Sequence, residues 1–218
     1  MTHRSDGASE NIIPLDRFRL GQKVNPLRMV EGYWSALRTG NDLPKRSQIN
    51  PRGLVDVLEH VFILERIAPG VARFRIAGSD WTQLAGMEVR GMPISSFFRS
   101  TGRQDMTSAV EACLDTPAII EADLKARSLQ RAPDVPGRMV LLPMLCDMGR
   151  VSRILGAIKM AGPLASDAYR MELGETSIKP VFQSTYTAPA PNRAFAEAPA
   201  PFERQPRIKL VYSAEEDA

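Results

Sequence analysis

Histidine and cysteine are scarce: two of each in 218 residues. Two Cys cannot build a disulfide framework, and four ligand-type residues this far apart make no structural zinc site. No run approaches the ~18 apolar residues of a membrane span. The start, Met1 to Asn11, is polar and lacks the apolar stretch of a signal peptide. Neither sign of charge dominates: 28 basic residues against 25 acidic ones give +3. No basic stripe and no helix-turn-helix with a basic second helix is visible, so nucleic acid is not expected as a partner. Gly86 and Gly91 fall in no phosphate-loop or dinucleotide spacing, and there is no Gly-x-Ser-x-Gly elbow. These absences lead to the expectation of a reduced, cytoplasmic, non-enzymatic protein without a membrane span.

What is present is an ordinary globular content, 44% apolar, unevenly distributed. Six of the 17 Pro lie between 180 and 218, in Ala-Pro repeats such as Ala198-Pro-Ala-Pro201. Such a segment favours extended, solvated chain and holds few large apolar side chains to offset ordering entropy. The expected division is a loose N-terminus over 1–23, a folded unit over 24–165, and a largely disordered tail over 166–218. Within the tail, Arg207-Ile-Lys-Leu-Val-Tyr212 has the character of a docking strand.

Inside the folded unit, Asn25-Pro26 suits a helix start. Leu27, Val30, Trp34 and Leu37 follow at helical spacing, which predicts an amphipathic helix over 26–38. Asn50-Pro51 predicts a second, shorter one to Leu58. Val61 to Arg66 and Val71 to Ala77 read as a β-hairpin about Ala68-Pro69-Gly70. Arg73 and Arg75 then alternate against Phe74 and Ile76. A short helix carries Trp81 and Leu84, and Phe97 adds to an apolar cluster. Arg103 to Leu114 is a helix with Met106, Val110 and Cys113 on one face. Three strands close the unit: Ile119 to Lys125, Arg138 to Cys146 and Val151 to Met160. The expected architecture is α+β: a five-stranded antiparallel sheet with helices on one face, plus the N-terminal amphipathic helix.

Several blocks in this order carry a family resemblance: Tyr33-Trp34-Ser-Ala-Leu-Arg38, Leu43-Pro44-Lys-Arg46, Ile49-Asn-Pro51, His60-Val-Phe-Ile-Leu-Glu65, Phe74-Arg75-Ile-Ala-Gly78, Leu84-Ala-Gly86, Gly91-Met-Pro93, Leu141-Leu-Pro143-Met and Arg153-Ile-Leu-Gly156. Over about residues 26–162 the chain resembles PAS-domain proteins, of the bacterial subfamily with a helical N-terminal extension. The resemblance implies a stand-alone sensory or regulatory protein that acts through contact with other signalling proteins. It also implies a homodimer, with Leu27, Val30, Trp34 and Leu37 of the first helix as its contact.

A PAS-like sheet can enclose a pocket, for which Phe74, Ile76, Trp81, Leu84, Phe97, Ile120, Leu124, Leu142 and Met144 are the candidate lining. The same residues can equally fill one another's space as core. The alternative function is therefore a small-molecule binder whose pocket holds a metabolite or cofactor. No cofactor is required by the sequence. Haem is disfavoured because residues 78–118 hold no His, with His60 ahead of the first strand and His3 near the terminus. Cys113 lies on an apolar helix face, outside any photoactive flavin motif, and reads with Cys146 as core. Arg131-Ala-Pro-Asp134 matches an Arg-x-x-Asp pattern of cyclic-dinucleotide sites, a spacing common by chance. Arg73 and Arg75 are candidate partner contacts, or members of a cross-strand ion pair with Glu65.

Overall fold

A computed structural model describes residues 25–130, 132–165 and 168–182. The expected loose N-terminus, Arg131, His3 and the Ala-Pro repeats with Arg207–Tyr212 lie outside the described residues.

The first helix, α1 (Pro26–Ala36), begins as the sequence predicts. The Asn25 side chain accepts from the Leu27 N–H at 3.1 Å, and Pro26 takes the first turn. Pro51–His60 forms a 3₁₀ segment capped by Asn50. The hairpin strands are β1 (Val61–Ala68) and β2 (Val71–Ala77), and α2 (Ser79–Ala85) follows. After α3 (Arg103–Asp115) come β3 (Ala118–Ser128), β4 (Val135–Leu145) and β5 (Val151–Met160). The alternation read in β3 is real: Ala118, Ile120, Ala122, Leu124 and Ala126 are all buried.

The sheet is antiparallel but has six strands, not five, in the order β2-β1-β5-β4-β3-β6. The added strand, β6 (Tyr169–Pro180), pairs with β3 inside what composition assigns to the tail. Its start carries its own signal, the alternation of Tyr169, Met171 and Leu173. Tyr169 and Met171 are buried against the core, and the Tyr169 hydroxyl accepts from the Ala165 N–H at 3.0 Å. The folded unit therefore runs past 165 through β6.

Two apolar layers hold the sheet. One face packs Phe62, Leu64, Phe74, Ile120 and Leu124 against Trp81, Phe97, Met106 and Val110. The opposite face packs Ile63, Leu142, Met144 and Leu155 against Val30 and Trp34 of α1 and Leu54 and Val57 of the 3₁₀ segment.

Candidate functional site

Six of the nine predicted pocket residues meet in one core: Phe74, Trp81, Leu84, Phe97, Ile120 and Leu124. Three of their rings, with that of Phe62, pack against one another. Phe74 and Trp81 have centroids 4.7 Å apart, Phe62 and Trp81 5.3 Å, Phe74 and Phe97 5.8 Å, and Trp81 and Phe97 6.0 Å, all edge to face. Phe62, the fourth ring, was missed because it sits in a continuous apolar run whose facing cannot be read from periodicity. The Trp81 indole N–H is buried and has no acceptor among the described residues.

The other three lie elsewhere. Leu142 and Met144 belong to the layer under α1, because β4 is apolar on both faces and its alternation is silent. Ile76 is 47% exposed. The cause is a bulge: Ile63 pairs with Ile76 while Leu64 pairs with Phe74, leaving Arg75 as an extra residue. One extra residue breaks the two-residue period, so Phe74 and Ile76 fall on opposite faces.

The expected dimer helix is spent within the chain. Val30 and Trp34 are buried under α1, with Leu27 and Leu37 packed partly beside them. The Trp34 indole N–H donates to the Pro143 carbonyl at 2.9 Å, and the Arg38 guanidinium lies 5.3 Å from the Trp34 ring. Val30 and Trp34 are thus unavailable as dimer contacts.

Arg73 and Arg75 both ion-pair with Glu65, at 3.0 Å for Arg73 Nη2, and Arg153 completes a cluster of three guanidinium groups about one carboxylate. Burial opposes ionisation of Glu65, but hydrogen bonds from Arg153 and Arg73 outweigh it and hold the carboxyl below its ordinary pKa. The cross-strand ion pair with Glu65 is therefore present, with both arginine side chains still partly exposed.

A groove of ≈580 Å³ lies where sequence reasoning did not look, between the start of α1 and the sheet face beneath it. Leu27, Arg28 and Glu31 form one wall, and Glu121, Asp123 and Arg138 the other. Of the predicted pocket residues only Leu124 reaches it. Its charges largely pair among themselves: Arg28 with Glu31 at 2.7 Å, Arg138 with Asp123 at 2.8 Å, and Glu121 with Arg28 and Lys179. The Lys179 hydrogen bond, against an opposing burial effect, lowers the Glu121 pKa.

His60 is buried where the 3₁₀ segment meets β1. Its Nδ1 lies 2.6 Å from Asp80 Oδ2 and its Nε2 3.3 Å from Lys159 Nζ, so it joins α2 to β5. Among the described residues no group of His, Cys, Asp and Glu is placed to hold a metal ion. Both cysteines are free and buried. Burial pushes the Cys113 thiol far up. At Cys146 burial acts the same way, but hydrogen bonds from Ser152 and the turn backbone bring it down to about 7. Asp134 pairs with Arg127 at 2.7 Å and Lys125 at 3.5 Å, so that carboxylate is engaged within its own sheet.

A family model described as a PAS domain matches residues 22–159. No curated protein matches the chain. Solved structures are similar at low identity, three of them as follows. A light-oxygen-voltage domain studied with a flavin analogue has 12% identity over 51% of this chain and 83% of its own, at a TM-score of 0.38. The light state of the blue-light photoreceptor Aureochrome1 LOV has 10% identity over 51% and 88%, at 0.35. An RNA-binding light-oxygen-voltage receptor has 19% identity over 56% of this chain and only 36% of its own length, at 0.37.

Proposed function

The chain belongs to the PAS-domain family, and on that premise we propose that it is a sensory or regulatory domain that works by contact with other signalling proteins and catalyses no reaction of its own. The observation behind this reading is the interlocked cluster of Phe62, Phe74, Trp81 and Phe97, with centroids between 4.7 and 6.0 Å. Rings at edge-to-face distance leave their shared space to one another rather than to a cofactor. Information then enters and leaves at the surface, through the sheet and its flanking helices, rather than through an interior ligand.

Native mass spectrometry of the freshly purified full chain tests this. The expected spectrum shows the polypeptide mass or its multiples alone. An added mass that disappears on denaturation overturns the reading in favour of a small-molecule binder.

A further inference from the structure

The sheet ends at β6, and half of that edge is covered. The Arg99 N–H donates to the Met171 carbonyl at 3.0 Å, and Phe98 bridges Met171. From Thr176 to Pro180 no backbone group among the described residues pairs on the outer side; a register shift at Gly174–Glu175 ends the regular alternation there, and the Gly174 carbonyl accepts from the Thr176 hydroxyl at 3.2 Å. The direction of those groups follows from one bond. The Val181 N–H donates to the Pro117 carbonyl at 2.9 Å, toward the β3 side. Alternation then turns the backbone of Lys179 and Ser177 toward β3, and that of Ile178 and Thr176 outward. Pro180, without an N–H to give, falls on an outward position, where an edge strand tolerates it.

The sequence of this free edge is complementary to itself. A second copy running antiparallel about a two-fold at Ser177 sets Thr176 opposite Ile178. Both face outward, so each pair exchanges two hydrogen bonds. Glu175 then lands opposite Lys179 of the other copy, twice. Glu175 is exposed and has no ion pair among the described residues, and Lys179 keeps donors to spare beyond Glu121. Neither neighbouring register does as well. Centring on Thr176 removes both charge pairs. Centring on Ile178 removes them too and sets Pro180, with no N–H, opposite Thr176. A register in which an outward residue meets an inward one forms no ladder. Ile178, 54% exposed on the single chain, gains cover in the pair.

We infer that β6 is a self-pairing edge: two copies of this chain join through Glu175–Lys179 into one continuous sheet, in the register that sets Glu175 against Lys179. The partner is a second copy because the charges and the outward hydrogen-bonding groups repeat under the two-fold.

Analytical ultracentrifugation of the full chain over a concentration series reads the association. A reversible monomer–dimer equilibrium is expected. Ile178→Pro removes an outward N–H, spares the ladder to β3, and weakens the dimer by about tenfold or more while the circular dichroism spectrum stays unchanged. Glu175→Lys weakens it as well, less so at high salt. Ser177→Cys gives an interchain disulfide on oxidation, because opposed residues in a non-hydrogen-bonded pair sit about 4.5 Å apart between Cα atoms, within disulfide span. Ser47→Cys, on an exposed segment remote in sequence, is the control. A monomer at every concentration overturns the inference. So does a dimer indifferent to both substitutions, or a Ser177→Cys chain that cross-links no faster than the control.

Discussion

The Trp34 indole N–H donates to the Pro143 carbonyl at 2.9 Å, while the equally buried indole of Trp81 meets no acceptor among the described residues. The two tryptophans thus separate ring burial from hydrogen bonding within one molecule. Trp→Phe deletes comparable ring area at both sites. At Trp34 it also strands a buried carbonyl, whereas at Trp81 it removes a donor that was already unsatisfied. Trp34→Phe should therefore cost about 1–3 kcal/mol more than Trp81→Phe. Urea unfolding of the two variants measures the difference, and equal midpoints would show the Pro143 contact to be energetically idle.

Glu65 offers a pH handle. Its carboxyl is held below its ordinary pKa by Arg153, Arg73 and Arg75 in spite of burial. A carboxyl with a lower pKa in the fold than in the unfolded chain contributes fully above the unfolded value, and that contribution is lost as pH falls through the folded value. Glu65→Gln should cost about 1–3 kcal/mol at pH 7. The stability curves of the variant and the parent should converge below about pH 4, near and under the ordinary Glu range. A gap of constant size from pH 7 to pH 3 would assign the loss to packing instead.

Much of this fold is legible from residues alone. Asn25-Pro26 marks α1, alternation marks β3, and Gly86 (φ +67°) closes α2 as a left-handed residue should. The failures have local physical causes. Nothing in Val71–Ala77 announces that Arg75 is an extra residue, because Glu65 accepts both Arg73 and Arg75 and so favours the bulge only after β1 has paired. Trp34 carries the right periodicity, yet periodicity shows an apolar face and not what covers it. The interior cluster was legible as a set of apolar residues. Whether they line a space or fill it depends on ring orientation, which spacing does not encode.

The strand β6 makes the domain boundary testable. Tyr169 and Met171 fill the core, and the strand pairs with β3 along nearly its whole length. A chain ended after Phe182 should keep cooperative unfolding. A chain ended after Ala165 loses both buried side chains and bares the β3 edge, so it should aggregate or unfold without a sharp transition. Thermal melts followed by circular dichroism distinguish these outcomes, and a cooperative melt for the shorter chain would make β6 dispensable.

Gly156 shows how tightly the aromatic layer is seated. It lies opposite Phe62 in the β1–β5 ladder, and a Cβ there would come 2.2 Å from Phe62 Cζ and 2.4 Å from Cε2. Phe62 has no exposure and touches the Phe74 and Trp81 rings, so it has little room to retreat. Gly156→Ala should destabilise by about 1–3 kcal/mol through overpacking. It should also change the near-ultraviolet circular dichroism, since the displaced ring presses on Trp81. Gly32→Ala is the opposite case. It lies in α1 with nothing within 4 Å of the added methyl, and should stabilise by about 0.5–1 kcal/mol through helix propensity. Combining Gly156→Ala with Phe62→Leu should recover part of the loss, because the smaller side chain vacates the methyl's position. Strict additivity of the two would place the Gly156 cost in the backbone rather than in the Phe62 ring.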